Sequence, residues 1–144
     1  MTRFFGLLTS SGRNVVVIFV PEHGMALRGT SIQAPGLRDI PLPQITTIPV
    51  GVKVIGPGYS HSPADQKSLS RPMSYLALSY LIQSFLERNP FGSTPFSPKD
   101  MIEDLPETDF VSENQGIRII KKGSDYFLYG KEKKWIALPA NAVI

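Results

Sequence analysis

The sequence predicts an α/β fold, in which a partial sheet with two buried strands and one main helix precedes a C-terminal antiparallel β-meander. Three observations lead to this class. Two short apolar runs, residues 14–20 and 48–55, have the length and continuity of buried strands. Residues 72–88 repeat apolar side chains at helical spacing. After residue 110, three short apolar runs alternate with glycine-containing turns, which is the pattern of a meander.

The composition is that of a folded domain. The 144 residues are 42% hydrophobic and 19% charged, which excludes a disordered chain. Because cysteine is absent, neither a disulfide nor a thiolate metal site can form within the chain. The longest apolar run, residues 15–20, is far shorter than a bilayer crossing requires, so we expect no membrane span in this chain.

The net charge of +3 does not indicate a nucleic-acid partner, because the basic residues are dispersed. Residues 73–110 hold two basic and six acidic side chains, and basic stretches lie on both sides of them. A protein that follows phosphates concentrates lysine and arginine on one face. The largest basic clusters here, Lys121 with Lys122 and residues 131–134, flank a predicted turn and are typical of solvated strand edges. We therefore expect no nucleic acid among the partners.

The N-terminal half predicts a helix, two strands and a long loop. Residues 4–8 have the pattern of a last helical turn capped by Gly12. The 14–20 strand is continuously apolar, as in parallel strands that are buried on both faces. Residues 25–47 have no clear period, and ordered loops of this length are usually functional. Parallel neighbours need crossover helices, and only one substantial helix follows, so we expect part of the fold to lie upstream in a longer protein.

The C-terminal half predicts the main helix, over residues 72–88, a short helix over residues 98–105, and the meander. The meander strands are expected over residues 116–121, 126–129 and 135–138. The helical period of the main helix predicts a buried side formed by apolar residues, namely Leu76, Leu78, Leu81, Ile82, Phe85 and Leu86.

Glu22 and His23 are the candidate metal ligands, because they come directly after the 14–20 strand. In open parallel α/β sheets, ligands bind at the carboxyl ends of the strands. A carboxylate beside an imidazole offers the oxygen and nitrogen donors that zinc accepts. The alternative is a polar loop in which both side chains are only solvated. Two ligands do not complete a zinc site, and His61, in a loop rich in serine and proline, is a poor third ligand.

Four stretches of the chain resemble one known family. They are residues 11–24 (SGRNVVVIFVPEHG), 36–41 (GLRDIP), 45–54 (ITTIPVGVKV) and 111–114 (VSEN). They are similar to the C-terminal catalytic region of the BcsG family, the bacterial cellulose phosphoethanolamine transferases. The resemblance runs from about residue 10 to the end of the chain.

The resemblance implies an alkaline-phosphatase-like fold and a position within a larger protein. Residues 1–144 would form a single domain that is the C-terminal portion of a transferase catalytic domain, with an α/β part over residues 10–110 and the meander over residues 111–144. The family implies a location at the periplasmic face of the inner membrane. It also implies the transfer of phosphoethanolamine from phosphatidylethanolamine to cellulose, with the cellulose synthase complex or the upstream catalytic portion as partners.

By the same resemblance, Glu22 and His23 correspond to ligands of the catalytic zinc, and Arg38 corresponds to an active-site arginine. The chemistry agrees, since zinc activates a hydroxyl nucleophile and a guanidinium can bind two phosphoryl oxygens. The nucleophilic serine and the cysteine ligand of the family lie upstream of the matched region. We therefore expect an incomplete zinc site and no turnover by this chain alone.

Two alternatives concern partners. The alternative interpretation is a non-enzymatic interaction module of cellulose biosynthesis, in which Tyr126, Tyr129 and Trp135 either stack on glucose rings or pack within the hairpin. An incomplete sheet would also leave an unpaired apolar strand edge, and such edges recruit another chain. We therefore expect a homo-oligomer whose interface includes the 14–20 strand, the 48–55 strand or the segment at residues 4–8.

Overall fold

A computed structural model of the chain describes residues 1–59, 66–93 and 97–139. Within these ranges it contains helices and two antiparallel sheets, which confirms the predicted α/β class with a C-terminal meander. No strands pair in parallel among the described residues, so the expectation of a parallel sheet is wrong. The alkaline-phosphatase-like character of the sheet stays a prediction.

The chain divides into two compact units, each built from two stretches of sequence. The first unit consists of Met1–Phe19 and Val50–Glu107, and the second consists of Val20–Pro49 and Thr108–Ile144. The second unit thus combines the predicted long loop with the predicted meander. The single-domain organisation, with its parts at residues 10–110 and 111–144, stays a prediction.

The first unit begins with α1, Thr2–Ser10, and the helix ends as the sequence predicts. The Ser11 N–H donates to the carbonyls of Leu7 and Leu8, and Gly12 then turns the chain with a φ of 65°. Glycine takes this left-handed conformation without the steric cost that a Cβ would impose. No residue of α1 is buried, so its apolar side chains face solvent in part.

The two strands of the first unit, β1 (Val15–Phe19) and β2 (Gly51–Ile55), pair antiparallel, with Val17 opposite Lys53. No residue of β1 is fully buried, and in β2 only the last two residues are. The prediction of strands buried on both faces is therefore wrong. A run of five apolar residues fits either kind of sheet, because its pairing depends on a partner that periodicity does not identify.

The main helix forms close to its predicted place, as Tyr75–Glu87. We number the short helix that precedes β2, Pro43–Thr46, as α2, the main helix as α3, and the helix Pro98–Glu103 as α4. Ser74 caps α3, since its hydroxyl accepts a hydrogen bond from the Leu76 N–H.

One side of α3 packs against α4 and the residues that follow it. Ala77 and Leu81 are buried with Met101 and Leu105 in one apolar cluster. The predicted buried side is wrong in part, because three of its members are exposed, namely Leu76, Ile82 and Leu86. The apolar residues of α3 are distributed around the whole helix, so their spacing alone does not identify the side that another element covers.

The meander of the second unit has four strands in sequential order. They are β3 (Phe110–Asn114), β4 (Ile117–Lys122), β5 (Asp125–Tyr129) and β6 (Trp135–Ala137). The three predicted strands are confirmed as β4, β5 and β6, and β3 is an addition. A two-residue turn, Gln115 and Gly116, joins β3 to β4 with φ values of 50° and 82°. Both values lie in the left-handed region that such tight hairpin turns require.

The predicted long loop is a packed segment in the second unit. Its buried residues include Ala26, Leu42 and Ile45, and Leu42 is completely excluded from solvent. The same is true of Ile119 in the middle of β4. The short helix α2 packs against β3. The residues between Val20 and Pro49 therefore have a core of their own, which holds the candidate functional side chains in place.

Candidate functional site

Arg38 and His23 contact each other directly. The guanidinium NH1 of Arg38 lies within hydrogen-bond distance of Nε2 of His23, which precedes it by fifteen residues. The other ring nitrogen, Nδ1, lies 2.7 Å from the carbonyl oxygen of Gly24. A guanidinium only donates and a carbonyl only accepts, so these partners assign the proton to Nδ1 and the lone pair to Nε2. His23 therefore presents an unprotonated Nε2 to the Arg38 side.

Gly24 fixes the backbone beside His23. Its N–H donates to the carbonyl oxygen of Ile45 at 2.6 Å, which joins the loop to α2. A Cβ at position 24 would lie deep inside the van der Waals radius of the Gln44 carbonyl oxygen. Only glycine allows this approach of two backbone segments. The sequence motif at residues 21–24 therefore requires its glycine for this close packing.

The backbone that carries Arg38 is held by two side-chain amides. Gln33 is buried, and its Oε1 accepts a hydrogen bond from the Ile40 N–H at 2.6 Å. Nδ2 of Asn114 lies 3.3 Å from the carbonyl oxygen of Arg38 and 3.2 Å from that of Asp39. Three consecutive residues, Arg38 to Ile40, therefore have their backbone groups bonded to these two amides. The side chain of Arg38 is itself exposed, so its anchor is the backbone and not its own burial.

Glu22 lies beside His23 in the chain, and its side chain is exposed, while His23 is half-buried. The structure thus brings His23 and Arg38 into contact and leaves the Glu22 carboxylate accessible at the adjacent position. The parallel sheet from which Glu22 and His23 were argued as metal ligands is not found within the described ranges, since β1 pairs antiparallel with β2. The packed loop of the second unit, and not the edge of a parallel sheet, supplies the geometry.

The donor chemistry of Glu22 and His23 fits two positions of a zinc site. The carboxylate supplies oxygen, and Nε2 supplies a nitrogen lone pair once Arg38 releases it. No cluster of three or more potential ligands of the His, Cys, Asp or Glu type occurs among the residues that the structure describes. His61, the weak third candidate, lies outside those residues.

Asn114 is the functional candidate to which sequence reasoning assigned no role. Its signal in the sequence was its place in the VSEN motif at residues 111–114, one of the four stretches that carry the family resemblance. The motif did not reveal the partners of the Asn114 amide, because the carbonyls to which it donates lie 75 and 76 residues earlier in the chain.

The aromatic residues of the meander pack against each other in part. The rings of Tyr129 and Trp135 have centroids 5.0 Å apart and are tilted by 48°. Trp135 remains 48% exposed and Ile136 remains 51% exposed. The hairpin-packing interpretation is therefore supported, and β6 still exposes apolar side chains to solvent on both of its faces.

Comparison with known proteins gives one consistent result. A family model described as the "Cellulose biosynthesis protein BcsG C-terminal domain" matches residues 1–135. The Cellulose biosynthesis protein BcsG of Escherichia coli (strain K12) is 39% identical over 136 residues, and that of Salmonella typhimurium (strain LT2) is 38% identical over 138 residues. Each match covers 94% of this chain and 24% of the relative. The chain therefore spans about a quarter of the length of the curated relatives it matches.

Within the described ranges, none of the helices is both long enough and apolar enough to span a bilayer.

Proposed function

Because the chain belongs to the BcsG C-terminal domain family of cellulose biosynthesis proteins, we propose that it forms the C-terminal part of a zinc-dependent phosphoethanolamine transferase that modifies cellulose. In this role Glu22 and His23 are two ligands of the zinc ion, and Arg38 binds the phosphoryl group. The partners are the remaining portion of the transferase and the cellulose synthase complex, at the periplasmic face of the inner membrane.

The observation that supports this proposal is the contact between Arg38 and Nε2 of His23. It brings a cation with several N–H donors to the one imidazole atom that can bind a metal ion. A carboxylate is adjacent in the chain. A metal-dependent site that transfers a phosphoryl group needs ligands for the cation next to hydrogen-bond donors for the phosphoryl oxygens.

Each of the three candidate residues has a separate role in the proposed reaction. Bound zinc would lower the pKa of a hydroxyl nucleophile and offset negative charge on the phosphoryl group. Glu22 and His23 hold that ion, with Nδ1–H of His23 fixed by the Gly24 carbonyl so that Nε2 stays unprotonated. Arg38 leaves Nε2 and donates two N–H bonds to phosphoryl oxygens. The nucleophile is expected in the upstream portion, so the chain alone is expected to show no turnover.

A chimera tests the proposal. Residues 1–135 of this chain would replace the matching C-terminal segment of the Escherichia coli relative, and the phosphoethanolamine content of the secreted cellulose would be measured by solid-state NMR. The chimera is expected to modify cellulose. Glu22→Gln, His23→Ala and Arg38→Ala should each lower the modification by about 100-fold or more, the range found when one catalytic donor is removed.

A matched control for the chimera is Glu132→Gln, which makes the same carboxylate-to-amide change at an exposed position between β5 and β6. It should leave the modification unchanged. Full modification by the His23→Ala chimera would contradict the proposal, because a zinc ligand cannot be removed without loss of the reaction.

A non-enzymatic role within cellulose biosynthesis is the second candidate, and the exposed Trp135 and Ile136 on β6 favour it. Aromatic and aliphatic side chains on an outer strand are typical of surfaces that contact another molecule. The same chimera separates the two roles. If Trp135→Ser lowers the yield of cellulose while Arg38→Ala lowers only its modification, both roles are present in the chain.

A further inference from the structure

We propose that Asn114 is a positioning residue for Arg38: its side-chain amide holds the backbone of residues 38 and 39 so that the guanidinium reaches Nε2 of His23. The expected effect of Asn114 on cellulose modification rests on the proposed function, in which Arg38 and His23 act together. The structural part of the inference concerns the metal-free chain and is tested there.

The contact itself is a pair of hydrogen bonds from one amide group. Nδ2 of Asn114 lies 3.3 Å from the carbonyl oxygen of Arg38 and 3.2 Å from that of Asp39. A carboxamide carries two N–H bonds, so one can serve each carbonyl. Both carbonyls belong to consecutive peptide groups. Their position is therefore fixed in orientation as well as in distance.

Of the two segments joined by this contact, the one that carries Asn114 is a paired strand. Asn114 is the last residue of β3 and pairs with Ile117 across the two-residue turn formed by Gln115 and Gly116. Such a turn allows little variation, because both of its residues hold positive φ angles. Residues 38 and 39 lie in an irregular segment without a ladder of their own. A side chain on a strand can thus set the position of a residue on a loop.

The rest of the loop has other anchors, so the loss of Asn114 is expected to act locally. The Ile40 N–H remains bonded to the buried Gln33, and Leu42 and Ile45 remain in the core of the second unit. What is released is the Arg38–Asp39 peptide, because the Asp39–Ile40 peptide keeps its hydrogen bond to Gln33. The side chain that depends on that backbone is the exposed Arg38, whose contact with His23 should loosen first.

The test reads the tautomer of His23 by ¹⁵N NMR of its ring at about pH 8, with no metal present. In the wild-type chain the Arg38 bond holds Nε2 unprotonated and the proton on Nδ1. Asn114→Asp keeps the shape of the side chain and removes both N–H donors. We expect it to shift the ring signals toward the Nε2–H tautomer. Asn114→Gln, which keeps the amide, should restore part of the wild-type pattern.

The matched control is Gln115→Glu, which makes the same amide-to-carboxylate change at the next residue, where the side chain is exposed. It should leave the His23 signals unchanged. A backbone amide spectrum of β3 to β6 confirms that each variant is folded. If Asn114→Asp disrupts that spectrum, Asn114→Ser, which keeps one donor on a shorter side chain, takes its place.

A double variant separates positioning from a general structural effect. In an Arg38→Ala background, Asn114→Asp should change the His23 signals no further, because the residue through which it acts is gone. In the transferase chimera, Asn114→Asp should lower cellulose modification by about tenfold in the Arg38 background and by less than twofold in the Arg38→Ala background. Unchanged His23 signals in Asn114→Asp, or equal effects in both backgrounds, would overturn the inference. If the transferase chimera modifies no cellulose, the proposed function fails, while the metal-free signals of His23 still decide the role of Asn114.

Discussion

Arg38 donates a hydrogen bond to Nε2 of His23, and the Nδ1–H of the same ring donates to the carbonyl of Gly24. Nε2 therefore carries the lone pair of the imidazole that can bind a metal ion. It follows that Arg38 and a metal ion compete for one atom of the chain. Once Nε2 binds a metal ion, the guanidinium is free to donate to an anion nearby.

Arg38→Ala is expected to raise the affinity of the chain for zinc, because it removes the competing donor and a nearby positive charge. A hydrogen bond contributes about 0.5–1.5 kcal/mol net, so the affinity should rise by about two- to tenfold. Titration calorimetry at about pH 7.5 measures this change. Arg28→Ala is the control, since Arg28 is another exposed arginine of the same loop. A weaker affinity in Arg38→Ala would contradict the competition.

Gly24→Ala is expected to destabilise the second unit, because its Cβ would overlap the Gln44 carbonyl oxygen. The backbone must move, which also weakens the 2.6 Å bond between the Gly24 N–H and the Ile45 carbonyl. Overpacking of this kind costs about 1–3 kcal/mol of unfolding free energy. Urea unfolding measures it. In the control Gly58→Ala, the new Cβ meets no atom within 4 Å, and the free energy should change little.

The first unit is expected to lose part of its stability in acid through Glu103. Its carboxylate accepts a hydrogen bond from Lys67 at 2.6 Å and lies 3.7 Å from Lys99, so the pKa of Glu103 is lowered from its ordinary value of 4.5. The folded state thus favours the charged form. The resulting stabilisation is present above pH 4.5 and disappears as the pH falls through the lower pKa of the folded state.

Glu103→Gln is the variant that isolates this effect. The urea midpoint of the wild type should exceed that of Glu103→Gln at pH 7, and the difference should shrink as the pH falls below 4.5. Because the carboxylate is exposed, 1 M salt should reduce the difference at pH 7. A difference that stays constant from pH 7 to pH 3 would show that the ion pairs do not contribute.

Self-association through α1 remains our expectation for the isolated chain. Phe4 and Leu7 of this helix are 52% and 63% exposed, and β1 beside them in the chain pairs only with β2 within the described residues. Covering such side chains favours association by about 1.5–3 kcal/mol each when they are fully buried. Sedimentation velocity at micromolar concentration should show a dimer or larger species. Leu7→Glu should shift it to the monomer, whereas Leu27→Glu, at another exposed leucine, should not.

Residue types and their place after a strand pointed to Glu22 and His23, whereas Arg38 was assigned only through the family resemblance. The structure places Arg38 against His23, and the roles of all three residues stay predictions. The route to that prediction was wrong in one step. The β1 strand is antiparallel to β2, and an apolar run of five residues gives no indication of the direction of its partner.

The role of Asn114 and the covered side of α3 depend on contacts that the spacing of apolar residues in the sequence cannot reveal. Asn114 reaches carbonyls 75 and 76 residues away, and no local pattern encodes that partner. The apolar pattern of α3 includes both Leu81 and Leu86, yet Leu81 is buried and Leu86 is 80% exposed. Burial of a helix face is decided by the element that covers it, here α4, and not by the helix alone.

The central claim is that Glu22 and His23 bind one zinc ion through Nε2 of the imidazole, and ¹⁵N NMR of the histidine rings during a zinc titration tests it most directly. The account predicts that zinc shifts the Nε2 signal of His23, with one ion per chain, and that Glu22→Gln weakens the binding by about tenfold or more. The ring of His61, the other histidine of the chain, serves as the internal reference. Zinc-dependent shifts confined to His61, or equal affinity in the wild type and Glu22→Gln, would contradict the claim.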